Sequence, residues 1–212
     1  MVAAAMMAVS SNASADGSGL ELGLRTGYAL PLGSAAGGSG NTDLSTIFNG
    51  AVPIWLDVGY RFPHFYVGGF FQYGVGLVSN SSTTGCGQGG ISCSGSVIML
   101  GGDVAYHIMP SAFFDPWIGA GVGYEIANVS VSEGSVSGSV GFSGIQFLNL
   151  QAGGDFKVLP NFGIGPFVMM SIDEYSNCSE SGQGGGGSCT IQSKAVHEWL
   201  TIGVRGAYDI NL

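Results

Sequence analysis

The sequence predicts an all-β fold, an eight-stranded antiparallel up-and-down transmembrane β-barrel, and three observations predict it. Eight segments alternate bulky apolar side chains with small, polar or charged ones at period two, which gives a strand two unlike faces. Charged residues make up 9% of the chain, against roughly 25% in an ordinary soluble protein, while 45% are hydrophobic and 39 positions are glycine. The connections between segments alternate strictly between short and long, as in a barrel with tight turns at one end and open loops at the other.

So few charges cannot clothe a surface that faces water. Gly, Ser, Asn or a charge interrupts every apolar run before the roughly 18 residues that a membrane-crossing helix needs. Closed barrels are the other structure that satisfies its own backbone in lipid, and a chain of 212 residues suits one such domain. The greasy face of each strand then points outward and the charged face into the lumen.

Residues 1–15 read as part of an export signal: an apolar run from Val2 to Val9 precedes the small-residue site Ala13-Ser14-Ala15. The barrel domain is then 16–212, in a compartment that permits disulfides. The first strand, 20–32, sets Leu20, Leu22, Leu24, Tyr28 and Leu30 against Glu21, Gly23, Arg25 and Gly27. The second, 51–62, opposes Val52, Ile54, Leu56 and Val58 to Trp55, Asp57 and Arg61. In the third, 65–78, Phe65, Val67, Phe71 and Tyr73 oppose Tyr66, Phe70 and Gln72. The fourth, 97–108, turns Leu100, Val104 and Tyr106 away from Met99, Asp103 and His107.

The fifth strand, 116–129, has Ile118, Val122 and Tyr124 on one side and Trp117, Gly121 and Glu125 on the other. The sixth, 145–158, opposes Leu148, Leu150 and Phe156 to Asn149, Gln151, Asp155 and Lys157. The seventh, 162–173, opposes Ile164, Val168 and Met170 to Phe167, Met169, Ser171 and Asp173. The last, 196–212, alternates Leu200, Ile202, Val204 and Tyr208 with Thr201, Arg205 and Asp209.

Three connections are short and marked by Pro63, Pro110 and Pro160. The other four, around 33–50, 79–96, 130–144 and 174–195, are long and built of Gly, Ser, Asn and Thr, so they are expected to be loops. Aromatic residues near strand ends, Tyr28, Phe62, Phe65, Tyr106, Phe113, Phe114, Phe156 and Phe162, suit a girdle at a membrane interface. The four cysteines fall in two of the long connections, Cys86 with Cys93 and Cys178 with Cys189. Of the pairings possible on paper, the two local ones close short rings. Zinc has no CxxC or neighbouring histidine to support it there, so neither metal nor cofactor is expected.

The lumen is expected to hold Glu21, Arg25, Asp57, Arg61, Asp103, Glu125, Asp155, Lys157, Arg205 and Asp209, with Gln72, His107, Asn149, Gln151 and Asp173. Eight strands enclose a space just wide enough for side chains to fill, so these charges should pair. Strand adjacency places Arg205, Arg25 and Asp57 in one network with Asp103 across the lumen. This is a plug of salt bridges; inward glycines at 68, 74, 76, 119, 121 and 123 leave a narrow solute path as the alternative. Catalysis finds no support. His64 and His107 sit at short turns, and His197 is expected to be a solvated rim residue whose neighbour Glu198 faces the opposite way. The formal net charge of −9, with five Lys plus Arg, excludes a nucleic-acid partner.

Alternating strands, long and short connections and a glycine-rich interior together resemble the small eight-stranded bacterial outer-membrane barrels of the OmpA transmembrane domain and OmpX type. The resemblance rests on architecture over residues 19–212. It implies an outer-membrane location, contact with outer-membrane lipids and lipopolysaccharide, and assembly by the barrel-insertion machinery, which reads the last strand, here ending Tyr208-Asp-Ile-Asn-Leu212. Lipid A deacylases of this architecture carry His-x-Ser-Asn, whereas the runs here are His64-Phe-Tyr, His107-Ile-Met and His197-Glu-Trp. Lipid A palmitoyltransferases need an amphipathic N-terminal helix that residues 16–20 do not supply. The expectation is therefore a non-enzymatic, monomeric outer-membrane protein with a structural or surface-interaction role carried by its long loops; a narrow pore like that of the OmpW relatives is the alternative.

Overall fold

The structure, a computed structural model, describes residues 18–37, 42–79, 86–87, 89–134, 136–182, 185–191 and 193–211. The expected export segment 1–15 and the terminal Leu212 lie outside the described residues. Eight long strands form the wall: β1 (Gly19–Ala36), β2 (Phe48–Arg61), β3 (Phe65–Val78), β4 (Ile91–His107), β5 (Phe114–Glu133), β6 (Val136–Leu159), β7 (Phe162–Gly182) and β8 (Val196–Asn211). Each is antiparallel to the next in chain order, and β8 pairs with both β7 and β1. The ring is closed, from Gly19↔Asn211 at one end of the β1–β8 ladder to Gly33↔His197 at the other.

Side-chain polarity is inverted relative to a soluble protein. Ile54 is 58% exposed while Trp55 beside it is 0%, and Ile202 is 58% exposed while Arg205 is 2%. Outward apolar positions on β8 run from Leu200 to Ile210. At about 3.3 Å per residue and a tilt of about 40°, they cover roughly 25 Å, the height of a hydrocarbon layer crossed by a barrel. At the short-turn end the belt is rimmed by aromatic contacts, Tyr60 with Phe62 at 4.9 Å, Phe65 with Tyr106 at 5.0 Å and Phe114 with Phe156 at 4.9 Å between ring centroids. At the other end outward Glu174 and Glu198 mark where it stops. Of the expected girdle, Tyr28 lies away from this rim, bonding Asn49 O at 3.1 Å near the long-loop end.

Two of the expected loops are largely strand. β5 and β6 stay paired as far as Glu133↔Val136, turning at Gly134, where φ is 58°. β7 runs on to Gly182 and takes the short strand Gly185–Cys189 back along itself. Polar composition reports that these stretches stand in water, not that their backbone ladders end; Val129, Val131, Val136 and Val140 keep them β-prone. The disulfides are Cys86–Cys93 and Cys178–Cys189, with Cα–Cα distances of 5.7 and 5.0 Å; the second crosses the β7 hairpin, where the two cysteines are register partners. The connection around 33–50 holds the helical turn Leu44–Ile47, whose Leu44 is fully buried above the lumen.

The alternation in β6 is interrupted in the middle of the strand. The ladder shifts register between Gln146 and Leu148, so Ile145 and Phe147 face outward on one parity, and Leu148 and Leu150 on the other. The bulge turns Gln146 and Asn149, both fully buried, into the lumen.

Candidate functional site in the lumen

The buried polar side chains of the lumen divide into three groups. The first is centred on Arg25. Its Nε and Nη2 donate to Asp57 Oδ2 and Oδ1 at 2.7 and 2.8 Å, its Nη2 also reaches Asp103 Oδ2 at 3.2 Å, and its Nη1 donates to Gln151. Gln151 Nε2 passes the chain to Asn149 Oδ1 at 2.7 Å, and Asn149 Nδ2 to Gln146 Oε1 at 2.9 Å. A planar fork held by two carboxylates and an amide satisfies its buried charge.

The second group lies toward the short turns. Glu21 bridges two arginines: Arg61 Nη1 donates to its Oε2 at 2.7 Å and Arg205 Nη2 to its Oε1. Arg205 Nη1 also holds Asp155 at 2.5 Å, and Arg61 Nη2 holds Asp115 at 3.2 Å. Arg61 Nη1 lies 2.9 Å from His107 Nε2, and His107 Nδ1 lies 2.8 Å from Asp115 Oδ2. Because a guanidinium can only donate, Nε2 accepts, the proton sits on Nδ1, and the imidazole is neutral. Arg205 thus joins Glu21 and Asp155, not the Asp57 expected from strand adjacency. Lys157 and Asp209 are half-buried and, with Glu21, Arg61 and Asp155, line a small cavity at the mouth.

The third group lies toward the long loops and contains no arginine. Glu125 Oε1 accepts from Tyr175 OH at 2.7 Å and Trp199 Nε1 at 3.0 Å, and Glu125 Oε2 lies 2.9 Å from His197 Nε2. Tyr175 stacks on the His197 ring at 4.1 Å. His197 is completely buried, not the solvated rim residue its position suggested, because Glu125 and Tyr175 take it into the lumen. Asp173 joins this group, accepting from Ser171 Oγ at 2.5 Å.

Apolar side chains pack inside the barrel beside these groups. Trp55 and Phe70 meet at 5.2 Å and Phe48 and Trp199 at 6.0 Å, with Leu44, Met99 and Met169 buried among them. Sequence reasoning missed Asp115, Gln146, Tyr175, His197 and Trp199 as lumen residues. Asp115 and Tyr175 lie two residues from the inward Trp117 and Asp173, so longer strands at the same parity would have included them.

The barrel is similar in fold to Neisserial surface protein A, with a TM-score of 0.54 and 15% identity over 92% of this chain and 100% of that one. It is likewise similar to a major outer membrane protein from Thermus thermophilus, with a TM-score of 0.61 and 11% identity over 91% and 99% of the two chains. AlkL, whose structure is in DMPC lipid bilayers, gives 0.53 and 13% over 97% and 98%. The sequence matches no protein-family model and no curated protein. At these identities the likeness is one of fold, and that fold is the eight-stranded bacterial outer-membrane β-barrel.

Proposed function

We propose that this protein is a non-enzymatic, monomeric resident of the bacterial outer membrane that does not conduct and acts through the hairpins at its long-loop end. The observation that carries the reading is the contrast between the two. Arg25, Arg61 and Arg205 with their carboxylates and the Trp55, Phe70 and Phe48 rings occupy the lumen, whereas β5, β6 and β7 continue beyond the apolar belt as a disulfide-clipped sheet. Lipid and lipopolysaccharide cover the belt, and ring closure leaves no strand edge there for a second copy. The barrel-insertion machinery delivers the chain. Against catalysis, His107 is held between Arg61 and Asp115, His197 binds Glu125, and His64 Nδ1 bonds His107 O at 2.9 Å.

The test is single-channel recording of the refolded protein in planar bilayers, with liposome swelling in small sugars beside it. Silence in both is the expected result. Discrete openings, or swelling above that of empty liposomes, would make the protein a narrow solute pore.

A further inference from the structure

We infer that Glu125, Asp173 and His197 form a binding site for one divalent first-row transition-metal ion inside the loop end of the barrel. They come from β5, β7 and β8, and each turns inward with exposures of 0%, 1% and 0%. His197 and Asp173 are register partners across the β7–β8 ladder. The three groups offer one ligand atom each, all within 4.8 Å of one another. Ligands around such an ion at about 2.0–2.2 Å stand roughly 3–4 Å apart, so side-chain adjustments of order 1 Å gather them.

Charge is the first argument. All five lysines and arginines of the chain lie among the described residues. Arg25, Arg61 and Arg205 are committed to the other two lumen groups, Lys157 lines the far mouth, and Lys194 pairs with Glu174 at 3.2 Å on the surface. None faces Glu125 or Asp173. Two buried carboxylates whose partners are neutral donors, Tyr175, Trp199 and Ser171, and one imidazole are costly until a cation joins them.

Unmet bonding is the second argument. Asp173 Oδ1 and His197 Nδ1 are buried and have no hydrogen-bond partner. The ligand nitrogen is Nε2, which lies 2.9 Å from Glu125 Oε2; an ion that takes the place of the proton shared between them is held by both groups and by the unpartnered Asp173 Oδ1, with the ring's remaining proton on Nδ1. A neutral imidazole of this kind is the form in which histidine binds metals. One nitrogen and carboxylate oxygens suit zinc and its first-row neighbours better than calcium or magnesium, which take oxygen alone. No spacing along the chain announces the site, since the three residues come from three strands.

The test refolds the full chain in detergent with zinc present, removes free metal by gel filtration and measures bound metal by mass spectrometry. Roughly one zinc per chain is expected for a closed site of this kind. His197→Gln and Asp173→Asn should each lower retention about tenfold or more, while His64→Gln, at the exposed short turn, should keep it. Folding of each variant is read from the heat-dependent shift in gel migration. Should His197→Gln fail to fold, cobalt-loaded wild-type protein decides: a visible absorption band with nitrogen character supports the site, and its absence overturns it. A metal-free wild type, or zinc kept in folded His197→Gln and lost in His64→Gln, also overturns it.

Discussion

Trp117 stands between two guanidinium groups that the strand register forces together. Arg25 and Arg205 face each other directly across β1 and β8, and both point inward. Their side chains diverge to different carboxylates, and the Trp117 ring lies 5.8 Å from the Arg25 carbon and 4.9 Å from that of Arg205. The negative face of the indole is attractive to both cations, so one aromatic ring relieves a like-charge pair. Two glycines make this possible. A Cβ on Gly153 would fall 2.6 Å from the Trp117 ring, and one on Gly23 would fall 2.6 Å from Asp57 Oδ2. Gly23→Ala and Gly153→Ala are each expected to destabilise the barrel by about 1–3 kcal/mol through overpacking, measured as urea unfolding in lipid vesicles. Gly102→Ala is the control. Its Cβ would point outward with Gly68 O at 3.4 Å, and its effect should stay within about 0.5 kcal/mol. Equal losses at all three positions would remove the packing explanation.

At the level of single strands, parity decides everything that faces lipid. Ile202 lies mid-belt on β8, and Ile202→Arg should lower folding stability in bilayers by about 2–4 kcal/mol. The same arginine at outward Glu198, beyond the belt, should cost about 0–1 kcal/mol. Comparable losses at the two sites would mean the belt is not where hydrocarbon lies. Parity was also what the sequence made legible. β3 spans Phe65–Val78 as expected from end to end, because Pro63 fixes the turn before it and no bulge disturbs its alternation. The β6 bulge at Phe147 and Leu148 was hidden, since two apolar neighbours on one face look like a lapse in alternation. The hairpin extensions were hidden for another reason. Ser and Gly outnumber the apolar residues in stretches such as 136–144, so the sparse alternation of Val136, Val140 and Phe142 does not stand out from a loop. Lumen residues could be read from parity, and the Arg25, Asp57 and Asp103 contact from strand adjacency, whereas the partners of Arg205 could not: it reaches Glu21 and Asp155 because long side chains cross a narrow, tilted interior in ways adjacency does not encode.

Taken as one molecule, the non-conducting barrel proposed above would be closed twice along its axis. Toward the short turns the obstruction is ionic, built by Glu21, Arg61, Arg205 and Asp155. Toward the long loops it is apolar, built by Leu44, Phe48 and the rings beneath them. Resistances in series are set by the tightest section, so opening one closure should leave conduction blocked by the other. Arg205→Ser with Asp155→Ser removes a charge pair together and leaves Glu21 held by Arg61, which avoids stranding a buried ion. Leu44→Ala with Phe48→Ala empties the apolar cap at an expected loss of several kcal/mol in all, which a barrel of long backbone ladders can absorb. Each pair alone is expected to be silent in planar bilayers, and the four substitutions together should produce discrete channel events. Gel-shift assays establish first that every variant is folded. Channel events from the Leu44/Phe48 pair alone would place the whole barrier at the loop end and leave the ionic group a purely structural role. A silent fourfold variant that folds would show that Arg25 and its carboxylates, at the waist between the two, suffice to close the barrel.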